Sequence, residues 1–356
     1  MPTSYKVLIL GASYGSLLGS KLLLAGHTVK LVCLPEEADL INREGTRVRL
    51  PVRGRDTAVE IDSRELPGHL SADVPTAVDP DEYDLVGLAM QEPQYRSPGV
   101  RELVGAIATA RVPSMSIMNM PPPPYLERLH GVSPDESRHC YTDPEVWDGF
   151  DPALLTLCSP DPQAARPPDE PPNVLQVYLP TNFKAARFES DAHTAILRDL
   201  ESSIAASRFE TGEGEIELPV KLRVHDSILV PLAKWAMLMA GNYRCVQPTG
   251  IQSIRDAVHG DLDATRARYE WVCDVCRALG ASDQDLVPFE KYANAAKSLT
   301  SPSSVARAVD AGAPYIERVD CLVKSVAAQQ GMQSDQLDEI VELVDSKLEA
   351  NRGVAV

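Results

Sequence analysis

Residues 6–34 read KVLILGASYGSLLGSKLLLAGHTVKLVCL, and this stretch decides the fold. Lys6–Leu10 is an apolar run halted by Gly11. Ser16–Ala25 carries leucines at helical spacing and stops at Gly26, a helix-terminating signal. Thr28–Leu34 is β-branched and apolar, as in a parallel strand buried on both faces. Strand, glycine turn, helix and strand in that order open a βαβ unit. A second such region follows, with a strand at Tyr83–Met90, a helix at Val100–Ala110 and a strand at Ser114–Asn119. Alternation of this kind predicts a doubly wound, Rossmann-type parallel sheet.

Downstream the pattern changes. Fifteen of the 29 prolines fall between Pro113 and Pro180, including PPPP at 121–124. That density rules out long helices and leaves connections and short edge strands. Val174–Leu179 and Glu215–Val224 read as strands flanking a helix at Ala192–Ala206. From about Asp226 the periodicity is helical, with helices expected at Ser227–Ala240, Gly250–His259, Leu262–Leu279, Asp283–Ala296, Ser303–Ala311, Ile316–Gln330 and Ser334–Glu349. A chain of 356 residues suits two domains. The expected division is a Rossmann-type α/β domain over 1–215 and an all-helical C-terminal domain over 216–356.

Composition narrows the partners. Lys and Arg number 34 against 51 Asp and Glu, a net charge of −17, which argues against a nucleic-acid partner. No apolar run approaches the roughly 18 residues of a membrane span. The N-terminal apolar stretch ends in a glycine turn and lacks a cleavage site, so a cytoplasmic protein is expected. Seven cysteines, an odd number scattered along the chain, suit a reducing compartment better than a disulfide framework.

The turn Gly11-Ala12-Ser13-Tyr14-Gly15-Ser16 lies where dinucleotide folds bring backbone N–H groups up to a pyrophosphate at a helix N-terminus. It lacks the full GxGxxG pattern. Ser13 takes the second glycine position, and Gly15 comes one residue early. The plainer alternative is a βα turn with a serine cap and no nucleotide. Its place after the first strand, with Gly15 and Gly19 allowing close helix packing, favours nucleotide binding. The second strand ends in Leu34-Pro35-Glu36-Glu37, with no local Lys or Arg for a 2′-phosphate. The cofactor expected is therefore NAD or NADP, with NAD favoured.

The layout resembles the ketopantoate reductase family (2-dehydropantoate 2-reductase). The resemblance is carried by Leu17–His27, Ile117–Leu129, Ala233–Asn242 and Ser303–Met332. It implies a nicotinamide-dependent reductase or dehydrogenase, acting on a small-molecule substrate and forming a homodimer. Within SILVPLAKWAMLMAGN, Lys234 falls on the family's catalytic lysine and Asn242 on an asparagine eight residues later. Asn119 matches the asparagine near the nicotinamide, and Ser303-Ser304 matches a serine pair. The resemblance thus makes Lys234 the catalytic residue. It makes Asn119, Leu238, Asn242 and Ser304 substrate contacts, and Asn119 a cofactor contact as well. A lysine suits the chemistry, because reduction of a 2-oxo acid puts negative charge on the carbonyl oxygen, which an ammonium can stabilise and protonate. An amphipathic helix lysine whose stem merely snorkels is the plainer reading of Lys234.

Four departures argue against ketopantoate as substrate. Leu238 replaces an amide four residues after the lysine, which points to a more apolar or aromatic oxo compound. Leu34 and Ala89 or Met90 stand where the family has phosphate-binding basic residues. The family's acid aligns with Tyr315 or Ile316, leaving Glu317 one or two positions late. On a helix such an offset rotates a side chain by roughly 100° or 200°. With Pro314 at the first helical position, Glu317 would lie about one turn in and could reach Lys234. The polar stretch it shares with Arg318 and Asp320 favours instead an outward Glu317, with Tyr315 or Ile316 closing the pocket. The alternative function is a non-redox relative of the same fold, a lyase or isomerase using Lys234, or a cofactor-binding protein without hydride transfer. No metal site is expected: Cys273 and Cys276 lie inside a helix without ligand partners, and nothing around His139 and Cys140 marks a nucleophile.

Overall fold

The computed structural model describes residues 4–354, which form two compact units. One comprises the described residues up to 90 together with 94–118 and 146–226; the other comprises 91–93, 119–145 and the described residues after 226. The strands begin with β1 (Lys6–Leu10), β2 (Thr28–Val32), β3 (Arg47–Leu50), β4 (Val59–Asp62), β5 (His69–Asp73), β6 (Leu85–Leu88) and β7 (Ser114–Ile117). They continue with β8 (Leu155–Ser159), β9 (Gln163–Ala165), β10 (Val174–Leu179), β11 (Phe183–Ala186), β12 (Phe209–Thr211), β13 (Gly214–Ile216) and β14 (Leu222–His225).

Eight of these join in the order β14-β11-β8-β7-β6-β1-β2-β5. From β5 to β8 every pair is parallel. Numbered by their appearance in this sheet, those six strands run 3-2-1-4-5-6, the order of a dinucleotide-binding sheet, with its reversal between β1 and β6. β11 then pairs antiparallel with β8 and parallel with β14. The expected doubly wound sheet is therefore present. Its strands are apolar because both faces are covered: Leu8, Ile9, Leu31, Val86 and Leu88 are all fully buried. The helix Tyr14–Leu24 contributes Leu17, Leu18, Leu22 and Leu23 to that core, each worth about 1.5–3 kcal/mol of burial.

The expected strand Glu215–Val224 divides in two. Gly214–Ile216 closes a hairpin on β12, whereas Leu222–His225 joins the main sheet. Pro219 cannot donate to a ladder, and Val220 follows at φ 63°, so one continuous strand is impossible.

In the second unit, helices run over Ile254–His259, Leu262–Ala278, Phe289–Ala296, Ser304–Asp310, Val319–Gln329 and Asp335–Val354. Segment 119–145 belongs here because its aromatic hydroxyls tie it down. Tyr125, fully buried, donates to the Ile228 carbonyl, and Tyr141 donates to the Pro121 carbonyl at 2.6 Å. As the proline density predicts, this stretch holds short helical pieces, at Pro123–Leu126 and at Pro134–Ser137 followed by a 3-10 turn at Arg138–Cys140. Among the described residues no helix is long and apolar enough to cross a membrane.

Candidate active site

The glycine turn sits at the strand-order reversal. Gly11 has φ +99°, and a Cβ there would lie 2.7 Å from Met90 Cγ and 2.8 Å from the Ala89 carbonyl oxygen at the end of β6. A Cβ on Gly15 would meet Ile9 at 2.8 Å, so that glycine lets the helix approach β1. Ser13 occupies the N-cap position of Tyr14–Leu24, but its hydroxyl caps no N–H, and no acidic residue stands in the first turn. The capping serine of the plainer reading is thus not formed. An uncapped, unopposed N-terminus of an 11-residue helix at the switch point suits a pyrophosphate. Ala12 and Gly15 are buried, Ser16 Oγ donates to the Ser13 carbonyl at 2.8 Å, and Tyr14 reaches out to donate to the Pro162 carbonyl at 2.6 Å.

At the end of β2 the fold adds something the local sequence lacks. Arg166, from the proline-rich segment, forms an ion pair with Glu37. Both charges act on Cys33, whose thiol is pushed up to about 12 by burial and then by Glu37. A guanidinium therefore stands beyond the end of β2, where dinucleotide folds read the ribose, although its charge is committed to Glu37. Glu37→Gln is expected to release Arg166 and move the NADPH-to-NADH affinity ratio about tenfold toward NADPH, or ~1.4 kcal/mol. Competitive binding of the two nucleotides measures this, and an unchanged ratio would place the ribose site elsewhere.

The expected helix Ser227–Ala240 is instead a composite. A 3-10 turn at Val230–Ala233 leads into one α-helical turn, Lys234–Met237, then a π-helical segment, Leu238–Asn242, and a 3-10 turn, Tyr243–Cys245. The cause of the widening lies alongside it. The Tyr292 hydroxyl donates to the Met237 carbonyl at 3.1 Å, and a Cβ at Gly241 would fall 2.0 Å from that hydroxyl oxygen. A side chain inserted into the backbone ladder is a recognised source of such distortion, and π-turns collect at functional sites. Lys234 is half-buried at the start of this composite. Its neighbour Trp235 is buried and donates Nε1–H to the Asn119 carbonyl at 3.3 Å, so Asn119 is held against the lysine's helix.

Glu317 corrects the sequence-based expectation. It is only 7% exposed and does not point outward. Nor is it on a helix: residues 315–318 are irregular, and the helix begins at Val319, later than the expected Ile316. The offset argument from helical rotation therefore does not apply. Tyr243, at the end of the π-composite, holds this segment by donating to the Glu317 carbonyl and accepting from the Val319 N–H at 3.0 Å. Tyr315, expected as one of two residues closing the site, is instead 37% exposed, while Ile316 is buried. The polar neighbours of Glu317 are not a solvated face either. Arg318 grips buried Asp320 through two contacts of 3.0 Å and reaches Asp345 at 2.5 Å.

Asn119 Nδ2 donates to the Glu317 carboxyl at 3.4 Å, and the Glu92 N–H donates to it as well. Glu92 is itself buried, its carboxylate accepting from Thr142 N–H at 2.9 Å and Thr142 Oγ at 2.8 Å. Burial raises the Glu317 pKa to about 7, the nearby Glu92 charge raising it further, while the two hydrogen bonds and the Lys234 ammonium act against the rise. A carboxyl poised near neutrality beside a lysine is a pattern of acid–base sites. Asn119 Oδ1 is buried with no partner, leaving an acceptor for a bound molecule.

The helical unit thus brings Lys234, Asn119 and Glu317 together. Asn242 stays half-exposed and its carbonyl accepts from Ser303 Oγ at 2.6 Å. Ser303 caps the following helix, whereas Ser304 is exposed on that helix's first turn. Leu238 is buried at the start of the π-segment. Sequence reasoning missed Glu92, Arg166, Tyr243 and Tyr292, none of which has a local signal.

Fold and site define a class: a dinucleotide-type sheet accompanied by a helical unit that carries a lysine and a buried carboxyl. No family model matches the chain, and no curated protein matches it in sequence. Solved structures do match. The chain has the fold of the ketopantoate reductases, shared with 2-dehydropantoate 2-reductase from Methylococcus capsulatus at 13% identity, covering 97% of each chain with a TM-score of 0.66. Dimeric ketopantoate reductase from Staphylococcus aureus matches at 11% identity, over 97% of this chain and 99% of that one, with a TM-score of 0.60. D-mandelate dehydrogenase, solved with NADH and anilino(oxo)acetate, matches at 14% identity, over 98% and 99% of the two chains, with a TM-score of 0.65.

Proposed function

We propose that the chain is a divergent member of the ketopantoate reductase family: an NAD(P)-dependent reductase that converts a 2-oxo acid other than ketopantoate to its 2-hydroxy acid. The observation that carries this reading is the meeting of Lys234, Asn119 and the near-neutral carboxyl of Glu317 in the helical unit. A bound nicotinamide would supply the hydride. The backbone of Gly11–Ser16 would hold its pyrophosphate, and in the helical unit the orphan Oδ1 of Asn119 would accept a hydrogen bond from the substrate. Lys234 polarises the substrate carbonyl and gives its ammonium proton to the oxygen as charge develops there. Glu317, ionised above about pH 7, holds that proton on Lys234 until it is needed. NAD is the favoured cofactor, since Arg166 is engaged by Glu37.

The substrate side is apolar. Leu238 stands where the family has an amide, and the mandelate dehydrogenase of similar fold was solved with an aryl oxo acid. An aromatic or branched aliphatic 2-oxo acid is the class we propose, with Asn242 and Ser304 as further contacts and a homodimer as the working assembly. Titration with NADH and NADPH, followed by nicotinamide oxidation across a panel of aryl, branched and hydroxylated 2-oxo acids, tests it. Turnover greatest on the apolar members supports the reading. Nucleotide binding without turnover on any member points to the non-redox alternative, and no nucleotide binding at all ends the proposal.

A further inference from the structure

The helical unit holds a second reactive group, separate from Lys234. His139 and Cys140, unremarkable in the sequence, meet Cys321 from a part of the chain some 180 residues away. Cys140 Sγ lies 2.9 Å from Cys321 Sγ and 3.6 Å from His139 Nε2. Cys140 is 3% exposed, Cys321 is half-buried and His139 is exposed. Cys273 and Cys276, by contrast, are buried core thiols, both pushed up to about 12 by burial.

We propose that Cys140 and Cys321 form a reversible disulfide, with Cys321 as the attacking thiol and Cys140 as the resolving one. Closing the pair requires the sulfurs to approach by less than about 1 Å, since a disulfide bond is ~2.05 Å long. Two thiolates on one tetrahedral zinc, each about 2.3 Å from the ion, would sit about 3.7 Å apart, so the observed spacing favours a covalent bond over a shared metal. The S–H of Cys140 points at Cys321 and lowers the Cys321 pKa, with the Arg318 guanidinium contributing in the same direction. The same contact, followed by burial, holds Cys140 in its thiol form. The half-buried sulfur is thus also the one favoured as thiolate, the form that reacts.

The chemistry balances with a low-molecular-weight disulfide, RSSR, as oxidant. The Cys321 thiolate attacks one sulfur of RSSR, forming the mixed disulfide and releasing RS⁻. Cys140 then loses its proton, for which His139 is the adjacent acceptor, and attacks Cys321 Sγ, releasing the second RS⁻. The two released thiolates take up two protons. In sum the protein gives up two electrons and two protons, and RSSR becomes two RSH. The new bond would fasten two segments that frame the carboxyl site. Cys321 lies four residues beyond Glu317, and Cys140 lies two before Thr142, which holds Glu92.

Glutathione disulfide is the probe. Wild-type protein should lose two of its seven thiols on exposure, and peptide mapping should join the segments bearing Cys140 and Cys321. Dithiothreitol should restore all seven. Cys140→Ser should stop at a stable glutathione adduct on Cys321, whereas Cys321→Ser should acquire no adduct at Cys140. These readouts are independent of catalysis, so they stand apart from the proposed activity. A wild-type pair that stays reduced overturns the inference, as does one equivalent of zinc retained by the wild type and lost in Cys321→Ser. Adduct formation at Cys140 in the Cys321→Ser variant overturns the assigned order of attack.

Discussion

Lys234→Ala is expected to lower kcat by about 10³-fold, the middle of the range for losing a positioned general acid, or ~4 kcal/mol of barrier. Thermal stability should change little, because Lys234 is half-buried at a helix start and the apolar packing there belongs to Leu232, Ala233, Trp235 and Ala236. Trp235 also keeps Asn119 in place without help from the lysine. Nucleotide affinity should be retained, since the glycine turn belongs to the other unit. Steady-state kinetics, a melting curve and a nucleotide titration on one preparation check all three. Turnover within tenfold of wild type would remove Lys234 from the chemistry.

Glu317→Gln should move activity and stability in opposite directions. In the folded protein burial raises the carboxyl pKa from its ordinary 4.5 to about 7. Between those values the folded state binds more protons than the unfolded chain, so stability falls as pH rises from about 4.5 to about 7 and stays lower above that. Gln cannot ionise, so the variant should gain up to about 3 kcal/mol relative to wild type at pH 8 and show no gain near pH 4. The kinetic effect has the other sign. In the wild type kcat/KM rises through about pH 7 as the carboxylate forms, then falls when Lys234 loses its proton. In the variant the first limb disappears, and the second moves down by roughly 1–3 pH units because the Glu317 charge no longer favours the ammonium. Melting curves and rate profiles from pH 4 to pH 10 separate the two. A variant as active as wild type at high pH, or no more stable at pH 8, would show that Glu317 does not act on Lys234.

The N-terminal sheet was legible because its signals are local. KVLIL, the glycine turn, the leucine helix and TVKLVCL each state their structure within a few residues, and the alternation of strands and helices implies a doubly wound sheet. Lys234 and Asn119 were found through resemblance alone. Glu317 was misread for a specific reason: spacing arguments assume a helix, and the chain there is held out of one by Tyr243 from one side and by Arg318 pairing with Asp320 and Asp345. Glu92 and Arg166 were invisible because each matters only through a partner distant in sequence, Thr142 and Glu37 respectively. Ser303 and Ser304 show a finer limit. The pattern finds the pair, but only the fold reveals that the first hydroxyl faces inward to cap a helix and to bond Asn242.

The wide turn at Leu238–Asn242 has a consequence for how this chain can be compared with others. Each turn of that kind accommodates one residue more than an α-helical turn, so it stores an insertion inside a helix without producing a loop. The Tyr292 hydroxyl fills the space beside Gly241, which keeps the extra residue from being absorbed by a tightening of the coil. Against a chain whose corresponding helix is regular, equivalence before Met237 and equivalence after Tyr243 run in registers one position apart. An ungapped match through this helix can be right on only one side of it, so the correct gap falls within Leu238–Asn242, where no change in polarity announces it.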